Sequence, residues 1–237
     1  MVCQEVHQGT QEISQIEDGI NLLFCRRFPL VIGGDCPVLL GCLAAAVQIH
    51  HYNIGLLFID GHEDAYPPHQ SPTGEAADME LGFALGQNVP YRIRNVIGSV
   101  PLIKHSKVCL LGIRDRKDLK NLNVKSLAGK VQSYDDIILR KSNIETLTSK
   151  ALKRLRSNDN VIWLHIDLDV LSTKSLPAQD YLQPGGLSWK QLEKLCKSAL
   201  SSGHIIGCDV TIYNPDLDPN NKFAKHIVNF LATVLST

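Results

Sequence analysis

Two aspartates and a histidine crowd into five residues, Asp60, His62 and Asp64 of the stretch LLFIDGHEDAY, directly after the apolar run Leu56 to Ile59. Hard carboxylate oxygens with one imidazole nitrogen suit a divalent transition metal. The unalternating apolar run fits a strand buried on both faces of a parallel sheet, and α/β folds place ligands beyond the carboxyl ends of such strands. A capped turn into the next helix would account for the same aspartates. A second stretch, VIWLHIDLDVL from Val161 to Leu171, repeats the design and carries Asp167 and Asp169 at its end. Period-two alternation of an extended chain would aim both carboxylates the same way. Carboxylates gathered in apolar surroundings repel one another unless a cation neutralises them. If the two strands are neighbours, Asp60, Asp64, Asp167 and Asp169 share one charge problem, which one or two divalent cations solve. Capping of a following helix by Asp167 or Asp169 is the plainer alternative.

The elements that must position these residues alternate in type. A helix is expected over about 11–27, where Ile13, Ile16, Ile20, Leu23 and Phe24 recur at helical spacing. Pro29 ends it, and Leu30 to Ile32 read as a short strand running into Gly33, Gly34, Asp35 and Cys36. Pro37 to His50 reads as a helix with proline in its first turn. Pro67, Pro68, Pro72 and Gly74 mark a long loop on the ligand side, and Asp78 to Leu85 looks helical. Lys107 to Ile113 reads as a strand ending at Arg114 and Asp115, and Lys130 to Tyr134 as another. Ile144 to Arg156 is an amphipathic helix with Leu147, Ala151 and Leu155 on one face. After the Asp167 strand come a Pro- and Gly-rich loop over Ser172 to Gly186, a helix N-capped by Ser188, a strand over Ile205 to Val210 and a closing helix over Lys222 to Leu235. This alternation implies an α/β fold, a mostly parallel sheet between helices on both faces, in one domain over 1–237.

Composition narrows the function. The chain has 237 residues with 24 basic and 24 acidic side chains, a balance that gives no footprint for nucleic acid or a membrane surface. Seven scattered cysteines, an odd number without a CxxC pair, read as reduced thiols in a cytoplasmic protein. No stretch approaches a membrane span, and the N-terminus lacks an apolar signal core.

With GGDC at Gly33 to Cys36, DGHED at Asp60 to Asp64, and HIDLDVL followed by PGGLS at Pro184 to Ser188, the chain resembles the arginase/agmatinase (ureohydrolase) family. That family's motifs are GGDH, DAHxD and SxDxDxxDP followed by GGL, in this order and at matching separations. The resemblance implies a three-layer arginase-like sandwich, a pair of manganese ions, and hydrolysis of a guanidino or related C–N bond. It also implies a small-molecule substrate and a homo-oligomer. Carried over by position, Asp60 and Asp167 would bridge the metals, Asp64 would complete the first site, and His62 and Asp169 the second.

Cys36 stands where the family has a histidine ligand. A thiolate there would favour zinc, iron or nickel over manganese, whereas a buried thiol would leave one site weakened. The family's SGNxHG loop falls on Thr73 to Asp78, so Ala77 replaces its catalytic histidine. VEVNP aligns with Thr211 to Pro215, so Ile212 replaces the glutamate that grips the guanidinium, and Ser172 replaces the third aspartate. Arginine and agmatine are therefore poor expected substrates, since each lost carboxylate contact is worth on the order of 1.5–3 kcal/mol. Glu75 and Asp78 could supply a new acid, base or substrate contact, or be solvated loop carboxylates. The chain also starts late relative to the family, so one or two N-terminal strands are expected to be missing and Leu30 to Gly34 to form a sheet edge.

The expected chemistry is a hydroxide bridging two cations that attacks a small guanidino or amidine compound, with His62 or Asp169 orienting or moving protons and Glu75 or Asp78 protonating the leaving amine. The rival is a non-catalytic metal-binding or regulatory homologue. A mononuclear zinc deacetylase on a related sheet fits the aspartate count less well.

Overall fold

The computed structural model describes residues 13–16, 19, 27–156 and 161–236. The expected helix over 11–27 lies largely outside these residues, although 13–16 are helical and Ile13 and Ile16 lie against Gly41.

Six strands form one parallel sheet: β1 (Leu30–Ile32), β2 (Ile54–Ile59), β3 (Val108–Ile113), β4 (Gln132–Asp135), β5 (Val161–Asp167) and β6 (Ile205–Thr211). Their spatial order is β1-β6-β5-β2-β3-β4. The helices are α1 (Val38–His50), α2 (Glu80–Ala84), α3 (Tyr91–Ile97), α4 (Arg116–Asn121), α5 (Asp136–Lys141), α6 (Ile144–Leu155), α7 (Trp189–Leu200) and α8 (Lys222–Leu235). Strand alternation splits the core in two. Leu56 and Phe58 of β2 pack with Leu39 and Leu43 of α1, Phe83 of α2 and Ile93 of α3. Leu57 and Ile59 face the other way, onto Ala151 and Leu155 of α6, Leu195 of α7 and Phe230 of α8. Every residue of β2 and β3 is buried, which is why neither strand shows polar alternation. Burying each such Leu or Phe is worth about 1.5–3 kcal/mol, so the unalternating runs place β2 in the middle of the three layers.

The chain from β2 moves outward to β3, while β5 returns on the opposite side of β2. The crevice at this change of direction lies beyond the ends of β2 and β5, where α/β folds bind ligands. Ile59 pairs with Ile166, so Asp60 and Asp167 leave the sheet side by side. Among the described residues β1 pairs with β6 alone, as a sheet edge, and Ile32 is 67% exposed.

Local departures from expectation have plain causes. The segment read as one helix over Asp78 to Leu85 is a 3-10 turn at Ala76–Asp78 followed by α2. The strand expected over Lys130 to Tyr134 starts two residues later and ends one later, at Asp135. The helices α3, α4 and α5 have at most seven residues, too few for periodicity to stand out. Ser188 caps α7 as expected, in a reciprocal capping box with Gln191.

Candidate metal centre

Asp60 follows β2 directly and is fully buried, with Oδ1 accepting the His62 backbone N–H at 2.6 Å. That tight turn aims the His62 ring back across the crevice, where Nδ1 lies 2.7 Å from Asp169 Oδ2 and 3.6 Å from Asp60 Oδ1. Gly61 makes the approach possible: a Cβ there would collide with Arg114 Nη1 and stand 2.9 Å from Asp169 Oδ1. The Gly61 N–H donates to that same Asp169 oxygen at 3.0 Å. Arg114, at the end of β3, donates from Nη2 to the Asp169 carbonyl at 2.5 Å and so holds the turn from below.

Asp167 and Asp169 converge by a route other than strand alternation. β5 ends at Asp167, and Asp169 lies in a 3-10 turn over Leu168–Val170. Asp167 Oδ1 caps that turn by accepting the Asp169 N–H at 2.6 Å. Capping and convergence thus coexist, because the cap uses one oxygen. The other oxygen, Oδ2, accepts from Cys36 Sγ at 2.8 Å, and Sγ also lies 3.0 Å from Thr211 Oγ1.

Three overlapping groups of donors result, each with its ligand atoms within 4.8 Å of one another: Cys36, Asp60, His165 and Asp167; Asp60, His62 and Asp169; and Asp60, Asp64 and Glu80. All six residues singled out as metal ligands in the sequence fall in these groups. Glu63 does not: it turns away and accepts from Ser126 Oγ and Leu127 N–H, fastening a neighbouring loop. His165 and Glu80 join the groups without having been expected. A histidine inside an apolar strand resembles core, and Glu80 resembles a helix-surface residue, yet both are completely buried. The available signal for His165 was its place two residues before Asp167, on the same strand face. The family motif has serine there.

The electrostatics express an excess of negative charge. Burial raises the Asp64, Asp167 and Glu80 carboxyls well above their usual range, and neighbouring carboxylates add to it. Burial, then Asp167, raises the Cys36 thiol. Burial opposes charge on His62 too, but Asp169 and Asp60 outweigh it and lift the imidazole well above its ordinary value. Both Glu80 oxygens and Asp60 Oδ2 are buried without a hydrogen-bond partner among the described residues. Such atoms are costly unless a cation meets them, and a mixed oxygen, nitrogen and sulfur donor set fits divalent transition metals.

Above the donors lies a cavity of about 220 Å³ whose lining includes Cys36, His62, Asp167, Asp169, Tyr181 and Gln183. Asp78 is on its wall, with Oδ2 accepting from Ser71 and Thr73 hydroxyls. Glu75 is exposed and accepts a hydrogen bond from the Tyr181 hydroxyl.

The family model described as "Arginase family" matches residues 2–236. The chain belongs to the arginase family. It is 26% identical over 230 residues to an arginase of Brevibacillus brevis, covering 97% of this chain and 75% of that protein. It is 29% identical over 215 residues to an arginase of Staphylococcus aureus strain COL, covering 88% and 67%. The crystal structure of the Bacillus caldovelox arginase superposes with a TM-score of 0.84 at 23% identity, covering 98% of this chain and 77% of that one. The sheet order and layers are thus those of an arginase-family sandwich. Three departures from the family motifs, Cys36, Ala77 and Ile212, meet in one buried apolar cluster at the cavity. Ile212 holds a left-handed backbone (φ 69°), rare for a β-branched side chain, and its N–H donates to Gly34 at 2.8 Å.

Proposed function

We propose that this chain is a metal-dependent hydrolase of a non-peptide C–N bond in a small amidine- or guanidino-type compound. The observation that carries the reading is the convergence of Asp60, His62, Asp64, Asp167 and Asp169 from two neighbouring strand ends beneath one small cavity. Two divalent ions would be held by these residues, the first by Cys36, Asp60 and Asp167 and the second by Asp60, His62 and Asp169, with Asp64 beside Asp60. When bound, such a pair supplies a water acidified to near-neutral pH and a Lewis acid for the electrophilic carbon.

The protein's own groups do the rest. Asp169, braced by Gly61 N–H and Arg114, fixes the His62 ring and is placed to take a proton at Oδ2. Asp78 on the cavity wall is the acid for the leaving amine, and Glu75 acts through Tyr181, whose ring stands edge-on to His62 at 6.4 Å. Ala77 and Ile212 put apolar surface where a charged guanidinium would need a partner. Arginine and agmatine are thereby disfavoured as substrates. The Cys36 thiol favours zinc, iron or nickel over manganese if it ligates as thiolate. A homo-oligomer and a cytoplasmic setting complete the reading, supported by the β1 edge, which pairs with β6 alone among the described residues, and by free buried thiols at Cys36, Cys42, Cys109, Cys196 and Cys208.

The same Ala77 and Ile212 favour a second reading, a non-catalytic metal-binding homologue. Elemental analysis of the purified protein, with a urea- and ammonia-release screen over guanidino, formimino and simple amide compounds, separates the two. Release dependent on two bound metals supports the hydrolase; bound metal without release from any compound supports the alternative. An Asp60→Ala variant with unchanged metal content defeats both.

A further inference from the structure

His165 plays no part in the reading above, yet it is set up as a metal-binding histidine is. Completely buried on β5, it stacks on Phe58 of β2 with ring centroids 4.5 Å apart. Its Nδ1 lies 2.5 Å from Asp209 Oδ2 on β6, and Asp209 Oδ1 accepts from Trp163 Nε1. A carboxylate anchored in this way accepts the hydrogen bond from Nδ1–H and leaves Nε2 as the coordinating lone pair, the usual support for a metal-bound imidazole. Nε2 faces Asp60 Oδ2 at 3.8 Å, too far for a hydrogen bond, and neither atom has a hydrogen-bond partner among the described residues. Two buried acceptors pointing at each other demand positive charge between them. A ring nitrogen of His165, oxygens of Asp60 and Asp167, and Cys36 Sγ lie within 4.8 Å of one another, all on buried residues. Cys36 and Asp167 also line the cavity, which gives an ion its way in.

The geometry points to His165 as a ligand of the first metal through Nε2, supplying from β5 the imidazole that Cys36 does not supply from the loop after β1. With Cys36, Asp60 and Asp167 it makes a four-donor set of one nitrogen, one sulfur and two oxygens, which suits zinc, and Asp64, grouped with Asp60 and Glu80, stands outside it. Asp209 is a positioning residue in this arrangement, orienting the ring through Nδ1. The inference rests on the dinuclear reading above. The competing occupant of the gap is a proton, which would make His165 a buried imidazolium between Asp60 and Asp209.

The test uses the full chain stripped of metal and titrated with zinc. Wild type is expected to bind two equivalents and His165→Asn one, while Asp209→Asn keeps two with one bound 10- to 100-fold more weakly. Circular dichroism of the metal-free variants checks folding. Should either fail to fold, wild-type crystals soaked in zinc and measured at the zinc edge decide: an anomalous peak about 2.0–2.1 Å from His165 Nε2 is expected. Two peaks with neither in bonding reach of His165, or His165→Asn retaining two tight equivalents, would overturn the inference and leave the dinuclear reading standing. No zinc bound to wild type would remove both.

Discussion

His62 Nδ1 sits 2.7 Å from Asp169 Oδ2, and the same aspartate accepts the Gly61 N–H through its other oxygen. One carboxylate thereby sets both the turn after β2 and the direction of the imidazole it carries. Asp169→Asn should lower turnover by about 100-fold or more if His62 works in proton transfer. It should also release one of two bound metals, read by elemental analysis beside the steady-state rate. Wild-type rates and metal content in this variant would detach Asp169 from the site.

Gly61→Ala tests the close approach without touching a donor. Its Cβ would press on Arg114 and Asp169, so a loss of about 1–3 kcal/mol is expected in urea unfolding of the metal-free protein, with weaker metal binding. Unchanged stability would mean the turn relaxes freely.

The pH dependence has a definite sign. Asp64, Asp167 and Glu80 are raised by burial and neighbouring carboxylates, and Asp115 is raised by burial to about 7. Acids raised in the folded state bind more protons than the unfolded chain above about pH 4, so their contribution to metal-free stability falls as pH rises towards 7 and beyond, while Asp60, lowered against its burial by His165 and His62, loses its contribution only below about pH 4. His62, raised by Asp169 and Asp60 against its burial, adds the same sign above its ordinary value. Metal must displace these protons, so its affinity should rise with pH. Thermal unfolding from pH 4.5 to 8 should show Tm falling without metal, and a metal-induced Tm gain that grows with pH. A Tm that climbs with pH in metal-free protein would contradict the burial of these groups.

Ile212→Glu returns a carboxylate to the cavity wall. Guanidinium-bearing ligands should bind about 10- to 100-fold better, the worth of one charge-assisted hydrogen bond. Calorimetry with arginine or agmatine checks it, and equal binding to wild type would show that Ile212 does not face the substrate.

Ser188→Ala serves as a distant control. Loss of the α7 cap should cost about 1 kcal/mol while metal stoichiometry stays unchanged.

Much of this architecture was readable because its signals are short and local. DGHED places three donors within one turn, and the apolar runs before Asp60 and Asp167 fit strands buried on both faces, as β2 and β5 are. That β2 and β5 are neighbours was only a condition of the shared charge problem, and the sheet register supplies it. What escaped depended on neighbours remote in sequence. Asp169 reaches the site through a 3-10 turn braced by Arg114 from β3, which strand periodicity does not encode. His165 and Glu80 are ordinary in their own segments and become exceptional only when Asp209, Asp60 and Asp64 are packed around them. The short helices α3, α4 and α5 owe their form to the strands and loops they bridge more than to their own residues.

The neighbouring of β2 and β5 has a consequence for biosynthesis. The donors after β2 leave the ribosome well before those on β5, so on their own they present only a weak, incomplete grip on an ion. A full-strength cradle exists only after β5 has slotted in beside β2. The proposed metal pair would therefore need β5 seated beside β2 before it could bind.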